Sequence, residues 1–501
     1  MNIIKFNSGS LLIKGLLASL LLCLLSAESI AANYPLEIIQ PRPNLDTKNR
    51  FYKAYPGLEY NVRLAVIGGE FPYRFALTSA PAGMTIDARG EITWENPIQS
   101  GTAYNVTVEV EDAQSTATSV SWTIVVTTSG FRFIDAANGV PASLGGTGMI
   151  SSPWKSMKDM YGGDVVSSKT TNNFAGEFVY WRAGTYPMDA FKENSGSRTP
   201  FVSNAKPQVW LAYPGEKPVI DLADAHIVVY GGGSNLYFDG LDFNINGNKS
   251  KKGIQIESSA SSVTFRRNKF HGITNAVTGG NGSLIFISNG NVGDYYAIQD
   301  NEFYDVGTNG YGILGYSARN VLVEDNTLHN ITQHPIGPKE GTALWFIRSN
   351  HLYDNVANSI NLQYSDTHGV LSGDIEISYN LVEAGGGKVR MNSNLTASGL
   401  PVYLFRNTFM DEVQVNKVTS INGLFSFSDN VIVNETSYQD KIQRNSIDNP
   451  ARLIITDNLS GNASDNIVDS RGDLTANYAT YVGSRGHQIG PRPVAPIVTV
   501  E

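Results

Sequence analysis

Cysteine is nearly absent from this sequence of 501 residues, and its one example, Cys23, lies near the N-terminus. The chain therefore cannot depend on disulfide bonds or on a cysteine-rich metal site to hold its fold. Basic clusters are scarce as well, since 37 Lys and Arg residues stand against 46 Asp and Glu residues and give a formal net charge of −9. An acidic chain without a basic block argues against nucleic acid as a partner.

A continuous apolar run occurs near the N-terminus. Lys5 and Lys14 come before the apolar run Leu16–Leu25, and the small residues of Ser29–Ala32 come after it. This order predicts a secretory signal peptide over residues 1–32. The run is too short to cross a membrane comfortably. We therefore expect a secreted protein, periplasmic or extracellular, whose mature chain is a monomer without a transmembrane segment.

Residues 33–128 contain short segments in which apolar and polar residues alternate, separated by turn residues such as Gly68 and Gly69. The segments are Tyr60–Val66, Tyr73–Leu77, Glu91–Trp94, Tyr104–Val110 and Ser119–Val126. Regularly spaced short strands of this kind predict a β-sandwich. The run Ala80–Trp94 resembles the signature of bacterial Ig-like, cadherin-like modules, which implies an Ig-like fold here. We interpret this module as a spacer for the next domain, with sugar or partner binding as the alternative.

A short sequence motif recurs through the rest of the chain in steps of 23 to 33 residues. In each copy, apolar and polar residues alternate before a fixed asparagine. The fixed asparagines are Asn268, Asn301, Asn326, Asn350, Asn380, Asn407, Asn430 and Asn458. Repeats of this length with strand-like content indicate a solenoid. The asparagine suits a bend between strands, where its side chain can bond the backbone and stack on the next asparagine.

Two columns of apolar residues accompany the asparagines. The position three residues before the asparagine holds Phe265, Ile298 and Val323 in successive repeats, and the position two residues after it is also apolar. This period of two predicts strands with one buried face. The segments Phe178–Tyr186 and Tyr213–Asp221 resemble the opening coils of pectate-lyase-like β-helices. The predicted fold is therefore all-β: an Ig-like β-sandwich followed by a right-handed parallel β-helix over residues 129–501.

A second strand in each repeat carries the residues most suited to chemistry. When the inward Ile336, Ile360 and Val389 are aligned, the residues between them point outward. Coils stack about 4.8 Å apart, so the outward residues of several coils form one polar patch. Its members are Lys339, Asn361, Gln363, Lys388 and Arg390. Cations and amides gathered on an acidic protein favour an anionic sugar chain as the ligand.

The segment Lys339–Asn350 is similar to a coil of the alginate lyase and chondroitinase B family of β-helix polysaccharide lyases. The resemblance implies that Lys339 acts as the base, that an arginine assists, and that Ca²⁺ binds the substrate carboxylate. The Arg-His-Gly sequence of the family is missing from the next coil, so Arg390, one coil further on, is the nearest replacement. Glu324, Asp325 and Glu340 are candidate oxygen ligands for Ca²⁺.

Elimination from a uronic acid needs a base for the proton beside the carboxylate and positive charge for the enolate-like intermediate. Neighbouring cations disfavour the ammonium form of a lysine and so favour the neutral amine that acts as a base. His334 and Tyr316 flank the patch as candidate substrate-binding residues. The sequence predicts a polysaccharide lyase. The alternatives are a β-helix glycoside hydrolase, which needs two carboxylates, and a non-catalytic carbohydrate-binding surface or matrix protein.

Overall fold

The computed structural model describes most of the chain between residues 34 and 461. The described residues are 34–44, 49–160, 178–187, 198–202, 208–222, 226–230, 234–245, 252–256, 260–273, 282–287, 293–307, 309–339, 341–364, 375–383, 389–393, 402–409, 413–416, 425–428, 430–433, 442–445, 453–456 and 459–461. The predicted signal peptide, Lys388, Glu340 and Asn458 lie outside them.

The N-terminal module is built from nine described strands. They are Glu37–Gln40, Lys53–Ala54, Tyr60–Arg63, Ala65–Ile67, Arg74–Ser79, Met84–Ile86, Glu91–Trp94, Tyr104–Glu111 and Ala117–Val126. The long strand Ala117–Val126 alternates exposed and buried side chains, because every second residue enters the core. The strands form sheets of two, three and four members, and a 3₁₀ helix spans Arg50–Tyr52. This all-β, mainly antiparallel module is the predicted Ig-like sandwich.

The remaining described strands form three parallel sheets, in which each strand pairs with strands of the coils before and after it. From Phe178 onward the described strands enter the three sheets in turn, so the fold is a parallel β-helix. Sheet 1 contains the strands that precede the asparagines: Phe131–Ile134, Phe178–Trp181, Gln208–Ala212, Ser234–Asp239, Ser261–Arg266, Gly293–Gln299, Ala318–Glu324, Ala343–Arg348, Ile375–Ser378, Val402–Phe405, Phe425–Ser428 and Leu453–Thr456.

Sheets 2 and 3 complete each coil. Sheet 2 contains Gly184–Pro187, Pro218–Asp221, Asp242–Asn244, Lys269–Ile273, Glu302–Val306, Thr327–Ile331, His351–Tyr353, Leu381–Val382, Thr408–Phe409, Val431–Val433 and Leu459–Gly461. Sheet 3 contains Arg198–Val202, His226–Tyr230, Lys252–Ile256, Gly282–Ile287, Gly310–Gly315, His334–Pro338, Ile360–Tyr364, Val389–Ser393, Val413–Asn416 and Ile442–Asn445. A 3₁₀ helix, Ala142–Leu144, and a one-turn α-helix, Met157–Met160, lie near the first coil, where Trp154 and Met157 join the solenoid core.

The repeated asparagines form a ladder at the bend between sheets 1 and 2. The side-chain oxygen of Asn326 accepts hydrogen bonds from the backbone N–H and the amide of Asn301, at 2.9 and 3.0 Å. The amide of Asn326 donates to the Ile298 carbonyl and to the Asn350 side chain. The predicted stacking is therefore confirmed from Asn268 to Asn430. The residue before the asparagine takes the left-handed conformation, as at Asp325 with φ of 54°.

Replacement of Asn326 with alanine should lower the free energy of unfolding by about 3 kcal/mol, because it leaves several buried groups of two neighbouring coils without partners. Unfolding of the full chain in urea measures this loss. Asn105→Ala, at an exposed position of the Ig-like module, is the control and should change stability by no more than about 0.5 kcal/mol. Equal effects of the two changes would contradict a stabilising ladder.

The Ig-like module packs along the outer face of sheet 1, which differs from the spacer that we predicted. Ile39 and Ile67 of the module share a buried cluster with Leu322 and Phe346 of sheet 1. A second cluster joins the sandwich core to other outward residues of the same sheet, among them Tyr237. Sheet 1 is therefore covered on both faces, which leaves sheets 2 and 3 as the outer surfaces of the solenoid.

Buried charges cross the same interface. The Arg63 guanidinium of the module lies 2.9 Å from Asp300, 3.0 Å from Glu324 and 2.6 Å from Asp325. Arg348 of sheet 1 binds Glu324 at 2.8 Å and donates to the Tyr73 hydroxyl. Charges taken out of water are stable only when they are paired in this way. The interface is thus specified by ion pairs as well as by apolar packing.

Candidate active site on sheet 3

The strand register of sheet 3 places the predicted site residues on neighbouring coils. Phe286 pairs with Leu314, and Leu314 with Gly337. Ile336 pairs with Ile360, so the next residue of each strand, Gly337 and Asn361, is aligned as well. Asn361 in turn pairs with Arg390. The intervening Ile336, Ile360 and Val389 lie in the solenoid core. The predicted alignment of Asn361 with Arg390 is therefore present, and Gly337, Leu314 and Phe286 continue the same column through the preceding coils.

Lys339 lies at the end of the strand His334–Pro338, where its backbone N–H donates to the Gly315 carbonyl of the preceding coil. Its amine donates to the Tyr311 hydroxyl at 3.1 Å. The same amine lies 4.8 Å from the centre of the Tyr311 ring and 5.5 Å from that of Tyr316. Only 6% of Lys339 is exposed, so its amine is buried against two aromatic rings, whereas the sequence predicted an outward-pointing lysine in a polar patch.

His334 lies beside this lysine. Its ring is 5.1 Å from the Tyr311 ring, and the two residues pair across neighbouring strands. The Nδ1 atom is 3.3 Å from the Asn358 carbonyl. The same Nδ1 atom is 3.4 Å from the side-chain amide of Asn358, so Asn358 contacts this ring through both its backbone and its side chain. Burial lowers the pKa of His334 to about 4, and the charges of Lys339 and Arg390 act in the same direction. His334 is therefore neutral near pH 7.

Asn361 and Arg390 supply polar atoms next to this group. Asn361 is buried, and Arg390 is half-buried. The Asn361 side-chain oxygen and the Arg390 Nε have no hydrogen-bond partner among the described residues. Buried polar groups in folded proteins nearly always have partners, so both atoms are candidates to bind a ligand. Gln363 pairs with Asn392 in the backbone ladder, but its side chain, like the whole of Lys388, is outside the described part of the chain.

The structure separates two of the three calcium-ligand candidates, Glu324 and Asp325, from this site. Glu324 and Asp325 lie at the end of a sheet 1 strand and bind Arg63 of the Ig-like module. Their carboxylates are therefore neutralised by arginine on a different face of the solenoid. Within the described ranges no three His, Cys, Asp or Glu side chains lie close enough to hold a metal ion. Calcium binding remains a prediction, and it now concerns Glu340 and its neighbours.

Tyr311 is the residue that sequence reasoning undervalued. Its hydroxyl is the hydrogen-bond partner of Lys339, a role that the sequence did not suggest. The sequence signal for its position is the spacing of the coils, because the strand Gly310–Gly315 places Tyr311 one coil before His334.

Acid should destabilise the protein through His334. Its pKa is about 4 in the folded state and about 6.5 in the unfolded chain. The unfolded state therefore binds the proton more readily. The resulting stabilisation is complete above about pH 6.5 and disappears as the pH falls to about 4, with a total on the order of 3 kcal/mol.

Urea unfolding between pH 7.5 and 4 measures this dependence. His334→Gln should flatten the curve below pH 6.5 relative to the parent protein. Parallel curves for the two proteins would mean that other groups cause the acid sensitivity.

Comparisons with known proteins give a family match for the N-terminal module and a structural likeness that extends over most of the chain. A family described as "Putative Ig domain" matches residues 43–127, within the module predicted at 33–128. No curated protein matches the chain. A solved structure described as a rhamnogalacturonan lyase has a TM-score of 0.45 and 17% sequence identity, over 74% of this chain and 96% of that chain. Likeness at this level does not identify an activity.

No helix in the described residues has the length and apolar character needed to span a membrane.

Proposed function

We propose that the protein is a secreted polysaccharide lyase, which cleaves a uronic-acid-containing polysaccharide by β-elimination on the outer face of sheet 3. The observation that carries this proposal is the Lys339 amine held 3.1 Å from the Tyr311 hydroxyl, beside the neutral His334. These groups can exchange protons with a substrate, and Arg390 can hold a carboxylate with two hydrogen bonds. Such an anionic chain would be the partner that we expected from the cations on sheet 3.

The proposed reaction begins with Lys339 in its neutral form. Its amine takes the proton beside the uronate carboxylate, and Arg390 stabilises the negative charge that develops on that carboxylate. The electron pair then forms the carbon–carbon double bond as the glycosidic carbon–oxygen bond breaks. Tyr311 donates its hydroxyl proton to the leaving oxygen. The Lys339 ammonium returns a proton to Tyr311 through their hydrogen bond, which restores both groups.

The other described site residues also have roles in this scheme. Burial strengthens the electrostatic effect of Arg390 on the intermediate. The Asn361 side-chain oxygen can accept a hydrogen bond from a sugar hydroxyl, and the Tyr316 ring can pack against a sugar ring. His334 acts as a neutral hydrogen-bonding group beside the base. No step depends on calcium.

The described residues favour a lyase over a hydrolase. A glycoside hydrolase needs two carboxyl groups on either side of the bond, roughly 5–10 Å apart. The side chains described around Lys339 are tyrosine, histidine, asparagine and arginine. On sheet 1, the carboxylates of Asp300 and Glu324 are bound by arginines of the interface. Proton transfer at this site would therefore use nitrogen and phenol groups.

Incubation of the mature chain with alginate, polygalacturonate and chondroitin sulfate tests the proposal, with dextran as a neutral control. A lyase should produce unsaturated uronate, which absorbs ultraviolet light, from at least one of the anionic polymers. New reducing ends without that absorbance would identify a hydrolase. Binding without any cleavage would identify a carbohydrate-binding protein, and no interaction would refute an anionic substrate.

A further inference from the structure

A cavity of about 240 Å³ lies between the Ig-like module and the β-helix. Arg50, Glu59 and Asn61 of the module line it on one side, and Tyr180 and Tyr213 of the solenoid on the other. Space for a single water requires about 10–15 Å³, so this cavity has room for a small organic molecule. Clefts between domains are a usual place for small-molecule sites.

Most charged groups of this cavity already have partners. Both carboxylate oxygens of Glu216 bind Arg182, at 2.8 and 2.9 Å from its Nε. Both oxygens of Asp239 bind Arg267, at 2.7 and 3.0 Å. The Arg50 guanidinium donates to two backbone carbonyls of its own module. The cavity is therefore polar but has little unbalanced charge, which disfavours a strongly anionic ligand.

Tyr180 contributes a buried polar atom to this cavity. Its side chain is 2% exposed, and its hydroxyl has no hydrogen-bond partner among the described residues. Burial raises the pKa of this hydroxyl, and Arg50, Asp239, Glu59 and Tyr213 all contribute to its electrostatic surroundings. All four residues line the cavity. A buried hydroxyl without a partner costs stability, so a ligand that binds it would remove this cost.

Two further features define the chemistry of a ligand. The half-buried Glu59 lines the cavity with a carboxylate that can accept hydrogen bonds. The Tyr213 ring, which lies 4.2 Å from the Arg182 guanidinium carbon and 6.2 Å from the Tyr180 ring, forms an aromatic wall. A molecule with several hydroxyls and a flat apolar C–H face satisfies all of these groups.

We propose that this cavity binds one unit of a neutral sugar. Its hydroxyls donate to the Glu59 carboxylate and bond the Tyr180 hydroxyl, while its C–H face packs on Tyr213. The site is separate from the cluster on sheet 3 and does not depend on lyase activity. It would give the Ig-like module a part in carbohydrate recognition together with the solenoid.

Titration of the mature full-length chain with D-glucose, D-galactose, D-mannose, L-rhamnose and N-acetyl-D-glucosamine, followed by ligand-observed NMR and calorimetry, tests this inference. At least one of the sugars should bind. Tyr180→Phe and Glu59→Gln should each weaken that binding about tenfold, as expected for the loss of one hydrogen bond. Thermal unfolding of both variants verifies that they are folded.

Tyr237→Phe is the matched control. Tyr237 lies on the same sheet, and its buried hydroxyl also has no partner among the residues described, but it does not line the cavity. This variant should bind sugar as the parent does. The inference is overturned if none of the five sugars binds, or if Tyr180→Phe and Tyr237→Phe have equal effects. It is also overturned if Lys339→Ala removes the binding, since the sugar would then occupy sheet 3.

Discussion

Replacing Lys339 with alanine is expected to lower the turnover of an anionic polysaccharide by about a thousandfold, because general base catalysis typically contributes 10²- to 10⁴-fold. The change removes the amine that would accept the substrate proton and return one to Tyr311. Substrate binding should weaken much less, since Arg390 and Asn361 remain. Steady-state rates of unsaturated product measure the loss, and circular dichroism and thermal unfolding verify the fold.

Lys269→Ala is the matched control for this change. Lys269 lies on sheet 2, where its amine binds Glu302 at 2.6 Å, and it should leave the rate unchanged. Tyr311→Phe should also reduce turnover strongly, because the leaving oxygen then lacks its acid and Lys339 lacks its partner. Full activity of Lys339→Ala would refute the assignment of the base and would turn attention to His334.

The sequence predicted the solenoid well because its repeat is a physical consequence of the fold. Each coil buries apolar residues only against the neighbouring coils, so the same positions must be apolar in every repeat. The asparagine repeats for a related reason, since the side chain of Asn326 needs Asn301 and Asn350 at the same height of the adjacent coils. The outward alignment of Asn361 with Arg390 follows from this register.

The contacts within the site could not be predicted in the same way. Strand alternation places Lys339 outside the core, but it does not tell whether the side chain extends into solvent or folds over a ring. The bond to Tyr311 joins residues 28 positions apart and depends on side-chain conformations. Similarly, the low pKa of His334 follows from burial by its surroundings, which no local pattern reveals.

The docking of the Ig-like module was missed although the sequence holds a signal for it. Ala297, Leu322 and Phe346 occupy the same outward position of three successive coils, where a solvent-exposed sheet would have polar residues. A strand buried on both faces loses its alternation. Arg63 gave no such signal, because an arginine in an Ig-like strand is ordinarily exposed and its carboxylate partners lie more than 230 residues away.

Replacing Arg63 with methionine is expected to destabilise the full-length protein by about 3–5 kcal/mol, the usual cost of breaking a buried ion pair by removing one partner. Methionine keeps much of the apolar bulk but leaves Asp300, Glu324 and Asp325 close together with less positive charge. Arg63 is 2% exposed, so water cannot replace its hydrogen bonds. Urea unfolding should show a lower midpoint, with the Ig-like module separating from sheet 1 before the solenoid unfolds.

Arg74→Met in the same module is the control, because Arg74 forms an exposed pair with Glu111 at 2.7 Å. Exposed pairs contribute less than about 1 kcal/mol. Adding Asp325→Asn to Arg63→Met should recover part of the lost stability, since it removes one of the unpaired carboxylates. Equal unfolding midpoints for the Arg63 and Arg74 variants would mean that apolar packing alone holds the module on sheet 1, and recovery by the second change would then not occur.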